Sequence, residues 1–157
     1  MFVGEVEDLA WDGESKRLLV VGGGQLKARF FAWDTGSSLG EVVPHSKKNV
    51  TCDFKPQRPY RAVLGGEDFS LSFYAGGPPF KYDKALKEHT NFVNCVRYSP
   101  DGEKFISVAS DKTGIVCDGT TGAVVGKLDP AHAHGGSIFS VDWAPDGKRV
   151  VTSSGGG

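Results

Sequence analysis

The stretch HTNFVNCVRYSPDGEKFISVASDKTGIVCD, residues 89–118, has the pattern of three short strands joined by two turns. The first strand is predicted from Val93 to Tyr98 and leads into Ser-Pro-Asp-Gly, where proline presets φ and glycine tolerates positive φ. A second strand is predicted from Lys104 to Ala109. After a tight turn at Ser110 to Lys112, a third strand should end at Cys117-Asp118. The pattern predicts the core of one small antiparallel sheet.

Imperfect copies of this stretch lie on both sides of it at a regular spacing. An aromatic residue closes the first strand of each copy, and Pro56, Pro100 and Pro145 follow in three of the copies. The aromatic residues are separated by 43, 44 and 45 residues, and they are Trp11, Phe54, Tyr98 and Trp143. A period of roughly 40–45 residues with three or four short strands is typical of a WD40 propeller.

The period divides the chain, residues 1–157, into repeats at about 4–43, 45–88, 89–129 and 134–157, the last one truncated. We therefore predict an all-β WD40 propeller fragment of about three and a half four-stranded blades, too few to close a ring. In the first repeat, Trp33-Asp34 reads as the dipeptide after which the repeat is named, and an outer strand is predicted at Leu39 to Val43. Because its terminal blades would lack neighbours, the isolated chain should self-associate, dissolve poorly or be inactive.

The composition favours a soluble cytoplasmic protein with neither a nucleic-acid nor a membrane partner. The formal net charge is −1, with Lys and Arg scattered along the chain, so no basic footprint is visible. No apolar run approaches the ~18 residues of a spanning helix, and the N-terminal residues lack the pattern of a signal peptide. Cys52, Cys95 and Cys117 lie in or at the end of predicted strands. Buried reduced thiols are favoured over one disulfide and a spare thiol.

Two motifs that could indicate a ligand are weak. Gly22-Gly23-Gly24 follows a strand, but it lacks the G-x-G-x-x-G spacing and no helical period follows it, so a hairpin loop is favoured over a phosphate cradle. His132 and His134 form an H-x-H pair without a third ligand. We therefore predict no cofactor, no metal and no small-molecule substrate.

The second repeat breaks the pattern at Ala75-Gly76-Gly77-Pro78-Pro79-Phe80-Lys81-Tyr82-Asp83. Adjacent prolines cannot donate ladder hydrogen bonds, so we predict an extended loop that displays Phe80 and Tyr82 around Lys81. Aromatic side chains on a stiff loop suit a binding anchor, because they are large and lose little entropy on ordering. The alternative is that both rings pack under the blade.

His89, Ser107 and Asp111 are the residue types of a hydrolytic triad. Their offsets also match the buried hydrogen-bond network of WD40 blades, and parts of the set recur as His45 with Asp68 and as His134 with Thr152. Parts that recur in successive units favour a structural role, in which a fully satisfied buried network specifies one packing. We therefore predict structural roles for all these histidines, and no enzyme.

Several segments resemble the actin-interacting protein 1 family, the WD-repeat cofactors of cofilin. They are EHTNFVNCVRYSPDGEKFISVASDK, FKPQRPYRAVLGGEDFSLSFY, GGPPFKYD, WDGESKRLLVVG and AHGGSIFSVDWAPDGKRVVT, which together cover nearly the whole chain. The resemblance implies part of the N-terminal one of two joined seven-bladed propellers. It also implies that actin filaments and cofilin are the partners, and that the activity is cofilin-dependent filament disassembly at the actin cytoskeleton.

The resemblance implies a partner-binding site as well. By matching position it includes Asp68, Tyr82 and Phe92, and by adjacency Phe80 and Lys81. Asp68 has two competing roles, since a carboxylate that pairs with a partner's Arg or Lys cannot be fully committed to the blade network. The alternative function is a generic WD40 interaction scaffold, such as a substrate receptor of a ubiquitin ligase.

Overall fold

A computed structural model describes residues 4–24, 28–40, 42, 46–129 and 134–156 of the chain. Within these ranges every regular element is a β-strand, which confirms the all-β prediction. The strands are β1 (Val6–Trp11), β2 (Arg17–Gly22), β3 (Ala28–Ala32), β4 (Asn49–Phe54), β5 (Arg61–Gly66), β6 (Leu71–Ala75), β7 (Lys81–Leu86), β8 (Val93–Tyr98), β9 (Lys104–Ala109), β10 (Gly114–Asp118), β11 (Val124–Lys127), β12 (Ile138–Trp143) and β13 (Val150–Ser154).

The strands form four antiparallel sheets, which follow one another along the chain. Their orders are β1-β2-β3, β4-β5-β6-β7, β8-β9-β10-β11 and β12-β13. The first strands of successive sheets contact one another, β1 with β4, β4 with β8, and β8 with β12. Sheets arranged around a row of first strands are the blades of a propeller. The predicted WD40 propeller architecture is therefore confirmed.

A β-bulge recurs at the same place in every blade, between the first strand and the second. The pairing register shifts between Val6 and Asp8, Asn49 and Thr51, Val93 and Cys95, and Ile138 and Ser140. A bulge leaves one residue of the first strand unpaired and increases the local twist. The repeat seen in the sequence therefore extends to the details of backbone geometry.

Apolar side chains fill the space between neighbouring blades. Phe30 of the first blade stacks on Phe80 of the second, with 4.4 Å between ring centroids, inside one buried cluster. Phe73 of the second blade faces Phe105 of the third at 6.0 Å. A further cluster around Ile138 joins the third blade to the fourth. Buried aromatic surfaces thus hold successive blades together.

Strand direction alternates within each blade, so the blades have two distinct ends. We call the end with the β5–β6 and β9–β10 turns the upper face, and the segments before β4, β8 and β12 also lie there. The opposite end, which carries the β4–β5, β6–β7, β8–β9 and β10–β11 connections, is the lower face.

The first blade differs from its prediction at its outer side. Instead of an outer strand, the described residues show only a single bridge between Phe31 and Ser38, and Val43 lies outside the described residues. Gly22 ends β2, Gly24 has a φ of 91°, and residues 25–27 are also outside the described ranges.

The interpretation of Trp33-Asp34 as the repeat's dipeptide is wrong. Phe31 pairs with Leu18 as Cys117 pairs with Phe105, so Phe31 holds the position of Cys117. Trp33 lies beyond the end of β3 and is 59% exposed. The same turn follows the third strand in both blades, since the Gly36 N–H donates to Ala32 O as the Gly122 N–H donates to Asp118 O, both at 2.9 Å. Trp33 therefore matches Gly119 in this turn and not the last residues of the strand.

The proline-containing loop after β6 is shorter than predicted, because β7 already begins at Lys81. The assignment of Phe80 as a partner-binding anchor is also wrong, since its side chain is only 2% exposed. The Phe80 N–H donates to Leu39 O at 3.0 Å, which ties the loop to the first blade and directs the ring into the core. The packing alternative therefore holds for Phe80.

Candidate protein-interaction surface

An exposed aromatic pair, Phe69 and Phe92, lies on the upper face. The two ring centroids are 5.6 Å apart, and the side chains are 36% and 41% exposed. The Lys47 ammonium lies 5.4 Å from the ring centroid of Phe69 and 5.8 Å from that of Phe92. These residues come from the segment before β4, the β5–β6 turn and the segment before β8. The fold thus brings three distant parts of the chain to one surface.

The turn that carries Phe69 is a feature of the repeat. Asp68 Oδ1 accepts hydrogen bonds from the N–H and hydroxyl of Ser70, at 3.3 and 2.9 Å. In the third blade, Asp111 Oδ1 accepts the same pair from Thr113, at 2.9 and 2.6 Å. In each turn, the residue between the Asp and the Ser or Thr has a left-handed backbone, with φ of 71° at Phe69 and 68° at Lys112. This conformation points the middle side chain away from the blade.

The exposure of Phe69 was not predicted from the sequence. A signal was present, because Asp68 and Asp111 occupy equivalent turns and the following position is Phe69 in one and Lys112 in the other. An apolar ring at the position of an exposed lysine indicates an exposed aromatic side chain.

The backbone at Phe92 is fixed on both sides of the ring. Asn91 Oδ1 accepts a hydrogen bond from the Phe92 N–H at 2.8 Å, and Phe92 O accepts one from the Ser110 N–H at 2.9 Å. These two hydrogen bonds therefore fix the backbone that carries the ring, while the side chain stays 41% exposed. A preorganised aromatic side chain loses little entropy on binding.

Asp68 directly precedes Phe69 in the turn and is half-buried, and one of its oxygens is committed to Ser70. Its predicted network partner, His45, lies outside the described residues. The turn role of Asp68 is thus visible in the structure, and its role toward a partner stays a prediction.

Lys81 and Tyr82 lie at the other end of the blade, away from Phe92. Tyr82 is level with Tyr74 near the lower end of β6, whereas the Phe69 turn precedes Leu71 at the upper end. The rise from Leu71 to Tyr74 is about 10 Å at the usual strand spacing. Tyr82 is 39% exposed and packs edge-on against Tyr74, with 5.8 Å between centroids. The predicted site therefore separates into an upper and a lower part.

His89, Ser107 and Asp111 meet in one hydrogen-bonded row inside the third blade. His89 Nδ1 lies 3.0 Å from Asp111 Oδ2, and His89 Nε2 lies 2.8 Å from Ser107 Oγ. Asp111 Oδ2 also accepts from the Thr90 N–H at 2.9 Å. Ser107 is completely buried, so its hydroxyl has no access to a substrate. The geometry supports the structural role rather than a nucleophilic one.

Protonation in this row follows from its surroundings. Burial lowers the pKa of His89, although the nearby Asp111 carboxylate opposes the shift. Burial alone would raise the pKa of Asp111, but hydrogen bonds from Thr113 and Thr90 lower it. The row therefore contains a carboxylate, a neutral imidazole that donates from Nδ1, and a Ser107 hydroxyl that donates to Nε2.

The fourth blade repeats part of this row. His134 Nε2 lies 2.7 Å from Thr152 Oγ1, as His89 Nε2 lies close to Ser107 Oγ in the third blade. The recurrence in a second blade supports a structural role for both histidines.

The first strands of the blades are linked by an ionic contact that was not predicted from the sequence. Arg97 Nη1 of the third blade donates to Asp8 Oδ2 of the first blade at 2.9 Å, and to Thr51 Oγ1 and Cys52 O of the second at 3.3 and 3.2 Å. One guanidinium thus links three successive blades. Only the adjacency of the first strands brings these residues together, so no local pattern could have indicated the contact.

The three cysteines are buried and free, as predicted. The thiol of Cys52 lies 3.7 Å from Leu19 O, and that of Cys95 lies 3.8 Å from Val141 O. Burial raises the pKa of Cys52 and raises that of Cys117 to about 12. Protonated buried thiols of this kind act as packing residues.

Within the described ranges, no group of three or more His, Cys, Asp or Glu side chains is arranged to hold a metal ion, and His132 lies outside these ranges. In the same ranges, no helix combines the length and the apolar character that crossing a lipid bilayer requires.

A family profile described as WD domain, G-beta repeat, matches residues 80–118 and 124–157. The first match begins at β7, the outer strand of the second blade, and continues through β8, β9 and β10 of the third. A sequence repeat of this kind spans two blades, so each repeat ties one blade to the next.

Curated relatives match nearly the whole chain. WD repeat-containing protein 1 of Gallus gallus is 44% identical over 155 residues, which are 98% of this chain and 25% of the relative. The 66 kDa stress protein of Physarum polycephalum is 50% identical over 144 residues, which are 89% of this chain and 24% of the relative. Actin-interacting protein 1-2 of Arabidopsis thaliana is 48% identical over 141 residues, which are 88% of this chain and 23% of the relative. The chain spans about a quarter of the length of these relatives.

Proposed function

This chain belongs to the WD40-repeat proteins of the actin-interacting protein 1 family, and we propose that the polypeptide containing it promotes cofilin-dependent disassembly of actin filaments in the cytoplasm. The observation that carries the proposal is the exposed aromatic pair on the upper face, in a chain 48% identical to a protein named for its interaction with actin. The proposal includes cofilin because the sequence resembles a family of cofilin cofactors.

The proposed mechanism is mechanical and requires no bond chemistry. Buried aromatic clusters and the Arg97 contact join successive blades, so the surface residues are held on a rigid support. A ligand shifts an equilibrium only by its differential affinity for the two states. Binding that prefers the severed or cofilin-bound filament over the intact one therefore shifts the equilibrium away from the intact filament.

We assign partner contacts to both parts of the predicted site. Phe92 is the apolar anchor on the upper face, with Asp68 as a charge for an Arg or Lys of the partner. Tyr82 is the anchor at the lower end of β7, with Lys81 exposed beside it. Two separated contact sites suit a partner composed of two proteins, because actin and cofilin together present a larger surface than either alone.

The test uses the complete natural polypeptide that contains residues 1–157, which we call the complete polypeptide. Replacing both Tyr82 and Phe92 with Ala should weaken cofilin-dependent disassembly, since loss of an interface anchor costs ~2 kcal/mol or more. The rate of disassembly of cofilin-decorated filaments is measured beside the melting temperature.

Trp33→Ser is the control, because it removes a more exposed aromatic side chain, 59% against 39% for Tyr82 and 41% for Phe92, from the lower face of the first blade. This control should disassemble filaments at the wild-type rate. Undiminished disassembly by the Tyr82→Ala, Phe92→Ala double variant, at an unchanged melting temperature, would remove both residues from the site.

A further inference from the structure

Phe69 occupies a backbone conformation that a bulky side chain rarely adopts. Its φ of 71° lies in the left-handed region, where Asn or Gly costs less free energy than an aromatic residue. Lys112 takes the same conformation in the equivalent turn of the third blade, so the turn itself does not require a ring. Local strain of this kind is often retained where it serves a function.

The ring of Phe69 is also not needed to fill the core. It is 36% exposed, and it lies against the ring of Phe92, itself 41% exposed, and against the Lys47 ammonium. An aromatic residue that is strained and exposed contributes little to folding. What it contributes is a continuous apolar surface, about two rings wide, at the upper face.

Lys47 adds a positive charge to this surface. Its ammonium lies over both rings, and among the described residues it has no ion pair with a carboxylate. Cation–π attraction holds the ammonium near the rings while the side chain stays exposed. The neighbouring Lys48 is different, because it is paired with Glu5 and Glu7. The free charge beside the rings is therefore complementary to an acidic group.

We propose that Phe69, Phe92 and Lys47 form a clamp for an acidic segment of the cofilin-decorated filament, and that Phe69 is a specificity-determining residue of this clamp. An apolar side chain of the segment packs against the two rings, and a neighbouring carboxylate pairs with Lys47. The inference rests on the proposed function for the identity of the partner. It adds Phe69 and Lys47 to the site, and it assigns the chemistry that the upper face recognises.

The first test is Phe69→Asn in the complete polypeptide, measured by co-sedimentation with cofilin-decorated actin filaments. Loss of a central aromatic contact should weaken binding about tenfold. The melting temperature should stay the same or rise, since Asn tolerates the left-handed conformation better than Phe. If Asn lowers the melting temperature, Phe69→Lys is the second variant, because Lys is the residue of the equivalent turn.

The second test concerns the charge. Lys47→Gln should weaken binding at low salt and leave affinity at high salt nearly unchanged, because an exposed charge pair is screened. Lys47→Glu should weaken it further, by placing like charges together. Trp33→Ser is again the control for an exposed aromatic side chain on the other face.

The outcomes separate the clamp from the proposed function. Wild-type affinity of Phe69→Asn or Phe69→Lys, an equal loss with Trp33→Ser, or tighter binding of Lys47→Glu would overturn the clamp and leave the proposed function standing. Failure of the wild-type polypeptide to bind decorated filaments would overturn both.

Discussion

The imidazole of His89 has a single protonation state that its surroundings can satisfy. Its Nδ1 faces a carboxylate that stays ionised, and its Nε2 faces a buried hydroxyl that can donate to it. Protonation would give Nε2 a hydrogen in place of its lone pair, and it would place a charge in a buried site. Three residue types that resemble a catalytic triad thus serve here to join a loop, a strand and a turn.

The pH dependence of stability follows from the lowered pKa of His89. Because the pKa is below its usual 6.5 in the folded protein, the unfolded chain binds more protons in the interval between the two values. The contribution of neutral His89 to the free energy of unfolding is therefore fully present above about pH 6.5, and it is lost as the pH falls through this interval. The melting temperature of the wild type should fall more between about pH 7.5 and pH 5 than that of His89→Gln. Parallel pH profiles for the two proteins would contradict this assignment.

The β6–β7 connection shows how an element can be governed by a neighbouring blade. Its sequence, with two adjacent prolines and two aromatic residues, is that of an exposed loop. In the structure, Phe80 enters the first interblade cluster and Tyr82, two residues later, returns to the surface. Residues two apart in a regular strand share a face, so strand alternation does not explain the difference. Phe80 lies just before β7, and its hydrogen bond to Leu39 of the first blade accompanies the inward direction of its ring.

Phe80→Ala and Tyr82→Ala should therefore lower the free energy of unfolding by very different amounts. Removing Phe80 leaves a cavity beside Phe30 and Phe54, and should cost about 3–5 kcal/mol of unfolding free energy. Removing Tyr82 should have a much smaller effect, because it is 39% exposed. Urea denaturation of the complete polypeptide measures both. A Phe80→Ala protein as stable as the wild type would contradict the core position of this ring.

On the scale of the whole molecule, β13 presents an open edge. Among the described strands it pairs only with β12, Val151 on it is 68% exposed, and Phe139 on β12 is exposed as well. Unpaired backbone groups beside apolar side chains are a template for association with another strand.

We expect the 157-residue chain by itself to self-associate through this edge. Val151→Lys should reduce the association, because a charge on an edge strand disfavours pairing with a second copy. Val125→Lys on β11 is the matched control, since Val125 is also exposed on an edge strand, but that strand forms the outer edge of a complete four-stranded blade. Light scattering on the purified chain measures the effect, and a monodisperse wild-type monomer would contradict the expectation.

Local and repeated patterns were predictable from the sequence alone. The strands of the third blade, the spacing of the aromatic residues and the His89–Ser107–Asp111 row all depend on short-range turn chemistry that recurs with the repeat. A periodic sequence gives several chances to see the same element, so a weak signal in one copy is reinforced by another.

The tertiary structure decided which aromatic residues are exposed and which surfaces come together. Burial of Phe80 depends on the first blade, and the contact between Phe69 and Phe92 depends on two blades lying side by side. Arg97 reaches Asp8 only because the first strands of three blades are adjacent. These features join residues far apart in the chain, and no local pattern encodes them because a side chain's environment is set by whatever packs against it.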